Sequence, residues 1–268
     1  MTVRKPIAAG QFYPSSKKTL EKDISDFIDK AAKKQRVLGC IAPHAGYMYS
    51  GGVAGLVFSK IDIPDTVVIL GPNHTGGGAV FALYEQGSWH TPLGEAQIDN
   101  KLAKAILNKS RYIEADDTAH INEHSLEVLL PFIQYFKKDC KIVPVVVSTH
   151  SIDAYREAGK AIADAITEQG KDVLVVASSD MSHYESQRSA EEKDKRAIEA
   201  ILNLDEEELI KRVQEYGITM CGYAPTAIML SCCKRLGATS AELVKYATSG
   251  EATGDYDAVV GYAGILII

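Results

Sequence analysis

The sequence predicts an α/β protein built as one three-layer domain, residues 1–268, around a mostly parallel central sheet. Three observations carry that expectation. The runs "RVLGCIA" (36–42), "TVVILG" (66–71), "KIVPVVVST" (141–149) and "DVLVVASS" (172–179) are apolar nearly throughout rather than alternating, as strands covered on both faces are. Segments with helical spacing separate them, so strand and helix alternate along the chain. No linker, low-complexity stretch or internal repeat marks a domain boundary.

The elements follow in order. Residues 15–34 form an amphipathic helix, capped by Ser15 or Ser16, with Leu20, Ile24, Phe27, Ile28 and Ala31 on one face. Strand 36–42 leads into a helix at 50–60, and strand 66–71 follows. Helices at 98–109 and about 124–137 precede strand 141–149. A helix at 151–169 connects it to strand 172–179. Two helices fill 188–216, and another follows Pro225, which suits a first helical turn. The tail segments "AELVKYATSG" and "AVVGYAGILII" supply two more strands.

Composition narrows the function. A formal net charge of −6 over 268 residues lacks the basic footprint of a nucleic-acid-binding protein. The opening "MTVRKPIAAGQFYP" has no apolar signal core, and "AVVGYAGILII" falls short of the about 20 residues a membrane-spanning helix needs. Five cysteines, an odd number without CxxC spacing, point to free thiols in a reducing cytoplasm. The expectation is a cytoplasmic protein that engages neither nucleic acid nor membrane.

In open α/β sheets ligands bind beyond the carboxyl ends of the strands. His44 follows strand 36–42, and His74 follows strand 66–71. Asp180 and His183, in "SSDMSHY", follow strand 172–179. His150 follows strand 141–149, where "THS" can equally cap the next helix. The glycines of "HAGYMYSGG" and "NHTGGG" allow close backbone approach to a ligand. Neither segment completes a P-loop or a GxGxxG pattern, so no nucleotide is expected. Cys221, just ahead of a helix, reads either as a thiol of lowered pKa or as a small buried hydrophobe. Cys40, Cys232 and Cys233 read as core. "HINEH" fits the H-x-x-E-H zinc-hydrolase pattern through His120, Glu123 and His124. The preceding "DDT" and Asn122 look like a helix start, which would leave His120 off the helical face.

Taken together, "AGQFYP", "APHAGYMYSG", "GPNHTG", "EHSLEVLLPF", "SSDMSHY" and "MCGYAP" resemble, in order, the Memo family. That family is named for a mediator of ErbB2-driven cell motility and is known in prokaryotes as AmmeMemoRadiSam system protein B. The resemblance implies a fold similar to the subunit-B type of class III extradiol dioxygenases. It also implies a metal pocket of His44, His74 and Cys221, bordered by His183, Asp180 and His124. Fe(II) is the expected ion, with Cu or Zn as alternatives. Where the dioxygenases carry a glutamate this chain has Cys221, a softer ligand, so the expectation is a metal-dependent oxidoreductase rather than ring cleavage specifically. His183 would be the general base; Asp180 would orient it or cap a helix. The alternative is a non-catalytic pocket for a peptide or partner protein. The ligand is then an unidentified small molecule or peptide, and family association adds an AMMECR-type protein and a radical-SAM enzyme as companions.

Overall fold

The four apolar runs lie side by side at the centre of the main sheet. In the computed structural model, which describes residues 2–268, the chain order is β1 (Val3–Arg4), α1 (Lys17–Phe27), β2 (Gly39–Ala42), α2 (Tyr47–Ser59), β3 (Thr66–Pro72), β4 (Phe81–Leu83), β5 (Ser88–Thr91), β6 (Gly94–Gln97), α3 (Asn100–Lys109), β7 (Ile113–Ala115), α4 (Leu130–Phe136), β8 (Lys141–Val147), α5 (Ile152–Gln169), β9 (Val173–Ser178), β10 (His183–Glu185), α6 (Gln187–Leu202), α7 (Glu206–Glu215), α8 (Tyr223–Arg235), β11 (Ala241–Thr248), α9 (Gly250–Thr253) and β12 (Val259–Ile267). Strands β2, β9, β3 and β8 pair in that spatial order, all parallel. They are buried along almost their whole length, which is why their sequences do not alternate.

Both flanks turn antiparallel. On one side β12 pairs with β2, and β11 and β10 pair with β12. On the other, β4 runs against β8 and carries β7 in parallel. Strands β1, β5 and β6 form a separate three-stranded sheet. Two close approaches fix the layers. A Cβ on Gly39 would stand 2.7 Å from the Cys233 sulfur of α8, and one on Gly264 would stand 2.4 Å from Val57 of α2. Ile41 pairs with Ile265, so Gly39 and Gly264 face opposite sides of the sheet. Helices therefore cover both faces, and glycine sets how near they come. Among the described residues, no helix is long and apolar enough to cross a membrane.

Several boundaries differ from those expected. Helix α1 stops at Phe27, because Ile28 is already extended. Ser16 holds the N-cap position, but its side chain makes no capping bond. The helix expected from residue 124 starts as a 3-10 turn at Glu127–Leu129 and becomes regular only at Leu130. Pro131 explains that delay, since it is tolerated in the first helical turn and not deeper. The short strands β4 to β7 had no counterpart in the sequence reading; three or four residues are too few to display a period.

The N-terminal segment is bound to the loop between β7 and α4 chiefly by two side chains, Arg4 and Glu127. Arg4 Nε donates to the His120 carbonyl, Nη2 to the Glu123 carbonyl and Nη1 to Glu127 Oε2, each at 2.7 Å. Its guanidinium lies 4.2 Å from the centre of the Trp89 ring. Glu127 also accepts from the backbone N–H groups of Ile7 and Ala8 and from the Tyr13 hydroxyl. Both charged side chains are buried, so removing one leaves the other unpaired out of water. Arg4→Ala should therefore cost about 3–5 kcal/mol, measured by urea denaturation. Arg4→Lys, which keeps the charge and loses the planar fork, should recover only part of that loss.

Candidate metal centre

Sheet order builds the site. Ala42 pairs with Ser178, and β9 lies between β2 and β3. The chain leaving β2 carries His44, the chain leaving β9 carries Asp180, and the chain leaving β3 carries His74. All three emerge from neighbouring carboxyl ends. Cys221 arrives from the turn before α8. Its neighbour Gly222 donates to Ser179 Oγ at 3.0 Å, and a Cβ there would stand 2.4 Å from the Ser178 carbonyl. Only glycine brings the turn that close.

One donor atom from each of His44, His74 and Cys221 lies within 4.8 Å of the other two, and the same holds for His74, Glu123 and His124. Cys221 Sγ is 3.4 Å from His44 Nε2. The ring centres of His44, His74 and His124 are 4.9–5.6 Å apart. A cavity of about 480 Å³ opens in front of these imidazoles, bordered also by Phe12, Asp180 and His183.

The hydrogen bonds decide which nitrogens face the pocket. The Ser178 hydroxyl gives its one proton to the Ser125 carbonyl at 2.7 Å, so toward His44 Nδ1, 2.8 Å away, it can only accept. His44 therefore carries its proton on Nδ1, and the Nε2 lone pair points at Cys221. His74 repeats the arrangement with a carboxylate. Glu123 Oε1 accepts from His74 Nδ1 at 2.9 Å, and Oε2 accepts from the His74 backbone N–H. Such partners fix the tautomer and orientation of a metal-binding imidazole. His124 lies against Phe12, ring centres 4.4 Å apart and planes tilted by 36°, with Nδ1 3.5 Å from Glu123.

Charge is distributed unevenly. His44, only 2% exposed, is held well below the usual histidine range by burial and by neighbouring His74 and His124. Burial would likewise lower His74, but the hydrogen bond and charge of Glu123 outweigh it, and its pKa rises. Burial would raise Glu123, yet His74 and the backbone N–H groups of Ser125 and His74 hold it down at about 2. His124 is lowered, chiefly by burial. Burial pushes the Cys221 thiol up, and Asp180 adds to it. Of the two readings left open for Cys221, the lowered thiol pKa is not favoured, because desolvation and a nearby carboxylate both act the other way.

His183 sits at the pocket edge, held by Thr219: its backbone N–H donates to Thr219 Oγ1 at 2.7 Å, and its Nδ1 meets the Thr219 carbonyl at 2.9 Å. Asp180 takes neither expected role. Its carboxylate accepts from the His44 backbone N–H at 2.8 Å, and a strand, not a helix, follows it. His150 stands apart, accepting from Ser151 N–H through Nδ1, while Ser151 caps α5. His120 does not join Glu123 and His124 as the H-x-x-E-H reading requires. Residues 118–120 form a single 3-10 turn, not one face of a helix. His120 is fully buried with Nε2 on the Ala82 carbonyl, and burial lowers its pKa to about 4. Ser178, Thr219, Phe12 and the Glu123–His74 pairing escaped the sequence reading, since each acts through a partner far along the chain.

The Memo-like protein family matches residues 4–266. The chain belongs to the Memo family. MEMO1 family proteins of Methanopyrus kandleri and Methanothermobacter thermautotrophicus are each 43% identical to it, over 98% of both chains and over 97% and 99% respectively. A third Memo relative, from Methanococcoides burtonii, is 45% identical over 99% of this chain and all of its own. The crystal structure of an uncharacterized protein from Escherichia coli K12 shares the fold at 14% identity, with a TM-score of 0.56 over 85% of this chain and 99% of that one.

Two titrations check this Memo site in its metal-free form. Glu123→Gln removes the charge that chiefly lifts His74 and leaves burial opposed by Asp180, the smallest of the raising causes, so the His74 pKa should fall, read by imidazole nitrogen NMR. His44, His120 and His124 are all lowered on folding, so below about pH 6.5 the unfolded chain binds more protons. Stability present above that pH should decline as pH falls to about 4, the His120 value. The thermal midpoint measured across this window should fall, with His74 opposing the trend.

Proposed function

We propose that this Memo-family protein is a metal-dependent oxidoreductase of an unidentified substrate, its ion held by His44, His74 and Cys221. The observation that carries the reading is the donor set. Two imidazoles have their Nδ1 protons tied back to Ser178 and Glu123, which leaves their Nε2 lone pairs free, and His44 Nε2 lies beside the Cys221 sulfur. Donors at about 2.0–2.3 Å from one ion stand roughly 3.5 Å apart at tetrahedral angles, close to the 3.4 Å between Cys221 and His44. The mixed nitrogen and thiolate set suits Fe(II), and also Cu or Zn. When bound, iron or copper would supply one-electron redox chemistry at a Lewis-acidic centre.

The protein groups have separable tasks. Ser178 and Glu123 keep the imidazoles aimed and their lone pairs free. Asp180 holds the backbone of His44 in place. Cys221 must lose its proton to ligate, which makes metal affinity rise with pH. His183, with Nδ1 on the Thr219 carbonyl, has Nε2 free to take a proton from a substrate in the cavity.

Metal analysis after anaerobic reconstitution tests the ligands. Wild type should retain iron, His44→Ala and Cys221→Ala should lose it, and Ser178→Ala should bind about 10–100-fold more weakly. Equal content in all four would remove the proposed centre. Oxygen uptake by the iron-loaded protein with pooled small molecules tests the chemistry, and it should vanish in His183→Ala. Retained metal with no uptake in any pool would assign the pocket to recognition of a peptide or small molecule instead.

A further inference from the structure

We propose that Lys193 and Asp194, consecutive residues of α6, are positioning residues that aim His183 into the pocket. The inference rests on the reading of His183 as the proton acceptor and adds what holds it there. His183 borders the cavity, yet the segment that carries it is short and irregular. Strand β10 has three residues, and its register against β12 shifts between His183 and Glu185. Between those two, Tyr184 is 80% exposed and its backbone is left-handed at φ 57°, a conformation unfavourable for a bulky residue. Strain of this kind persists only where the surroundings over-determine the backbone. An exposed ring gains too little packing to do so, and the restraint falls to the residues on either side.

Helix α6 supplies that restraint at both ends. Before His183, Asp194 Oδ1 accepts from the Ser182 N–H at 2.9 Å. After it, Lys193 Nζ donates to Glu185 Oε1 at 2.6 Å and to the Gly217 carbonyl at 3.3 Å. Gly217 belongs to the turn that leads into Thr219, whose hydroxyl and carbonyl hold the backbone and ring of His183. Lys193 therefore ties together the two sides of the His183–Thr219 contact. Asp194 is the costlier member of the pair. It is fully buried, and both donors bonded to it are neutral, the Ser182 N–H and the Tyr246 hydroxyl at 2.8 Å. Neutral donors offset the desolvation of a carboxylate less than a paired cation does, and burial raises its pKa. Strand β12 makes room for it, since a Cβ on Gly261 would collide with the carboxylate. The Gly261 N–H in turn donates to the Ser182 carbonyl at 2.9 Å. An apolar side chain could fill the same space at lower cost, but it would leave the Ser182 N–H unheld.

The test reads the ring of His183 and needs no substrate. With Nδ1 donating to the Thr219 carbonyl, the neutral ring should be a single Nδ1–H tautomer, seen in long-range nitrogen–proton NMR spectra of the metal-free full chain at alkaline pH. Lys193→Met changes a partly exposed side chain, and Asp194→Leu fills the carboxylate's volume without an acceptor. Each should lose the single form to a mixture with the Nε2–H tautomer. Asp194→Asn can still accept from Ser182 and should keep it. A merely structural role would lower the thermal midpoint and leave the tautomer unmoved. A pure Nδ1–H signal in either folded variant would overturn the proposal, as would a loss in Asp194→Asn as complete as in Asp194→Leu. Should Asp194→Leu fail to fold, the Lys193→Met spectrum decides alone. Iron retention after anaerobic reconstitution should match wild type in all three variants. Tautomer loss with no iron held by any of the proteins would refute the metal centre alone, and retained iron with an unmoved tautomer would refute the positioning role alone.

Discussion

A carboxylate with no exposed surface must be met by donors on every side, and Glu123 imposes that requirement on much of the site. It accepts from the backbone and side chain of His74 and from the Ser125 N–H. These bonds draw the exit of β3 onto the loop before α4. They also decide which His74 nitrogen faces the cavity. The Ser125 carbonyl in turn receives the Ser178 hydroxyl, and Ser178 orients His44. One buried charge thus reaches His74 directly and His44 through Ser125 and Ser178, the two imidazoles that share a cluster with Cys221.

The same loop is supported from outside by Arg4, whose fork holds the carbonyls of His120 and Glu123 and the carboxylate of Glu127. Buried ion pairs contribute little net stability once desolvation is counted, and are better regarded as fixing an arrangement. Here the arrangement includes Phe12, which the N-terminal segment lays against His124. Tyr47 N–H bonds the Phe12 carbonyl at 2.8 Å, and its hydroxyl bonds the Val128 carbonyl. The start of α2, the N-terminal segment and the loop before α4 therefore hold one another in position around the pocket.

What the sequence could reveal follows from how far each signal reaches. The central strands were legible because burial on both faces writes an apolar run into four to seven consecutive residues. His44, His74, Asp180 and His183 were legible as residues leaving those strands, and the turn of Cys221 stood out ahead of its helix. Their roles were less so. The direction of the Cys221 pKa depends on burial and on Asp180, neither visible locally. Asp180 was paired with His183 on proximity in sequence, whereas its partner is the backbone of His44, 136 positions away. The "HINEH" motif was a weak signal because three fixed residues do not specify a helix, and Arg4 and Pro131 shape that loop from elsewhere.

The separations along the chain also bear on how the molecule comes to exist. Arg4 and Glu127 are 123 positions apart, and His44 and Cys221 are 177 apart. Contacts so distant require most of the intervening chain to be ordered before they become favourable, which makes them late events and the fold a slow one. During synthesis the N-terminal segment waits for the loop that binds it, and His44 waits for the turn before α8. A chain halted part-way can pair β2 with β12 only after residues 265–267 have emerged. The pocket is therefore a property of the finished topology, acquired near the end of folding rather than carried by any early intermediate.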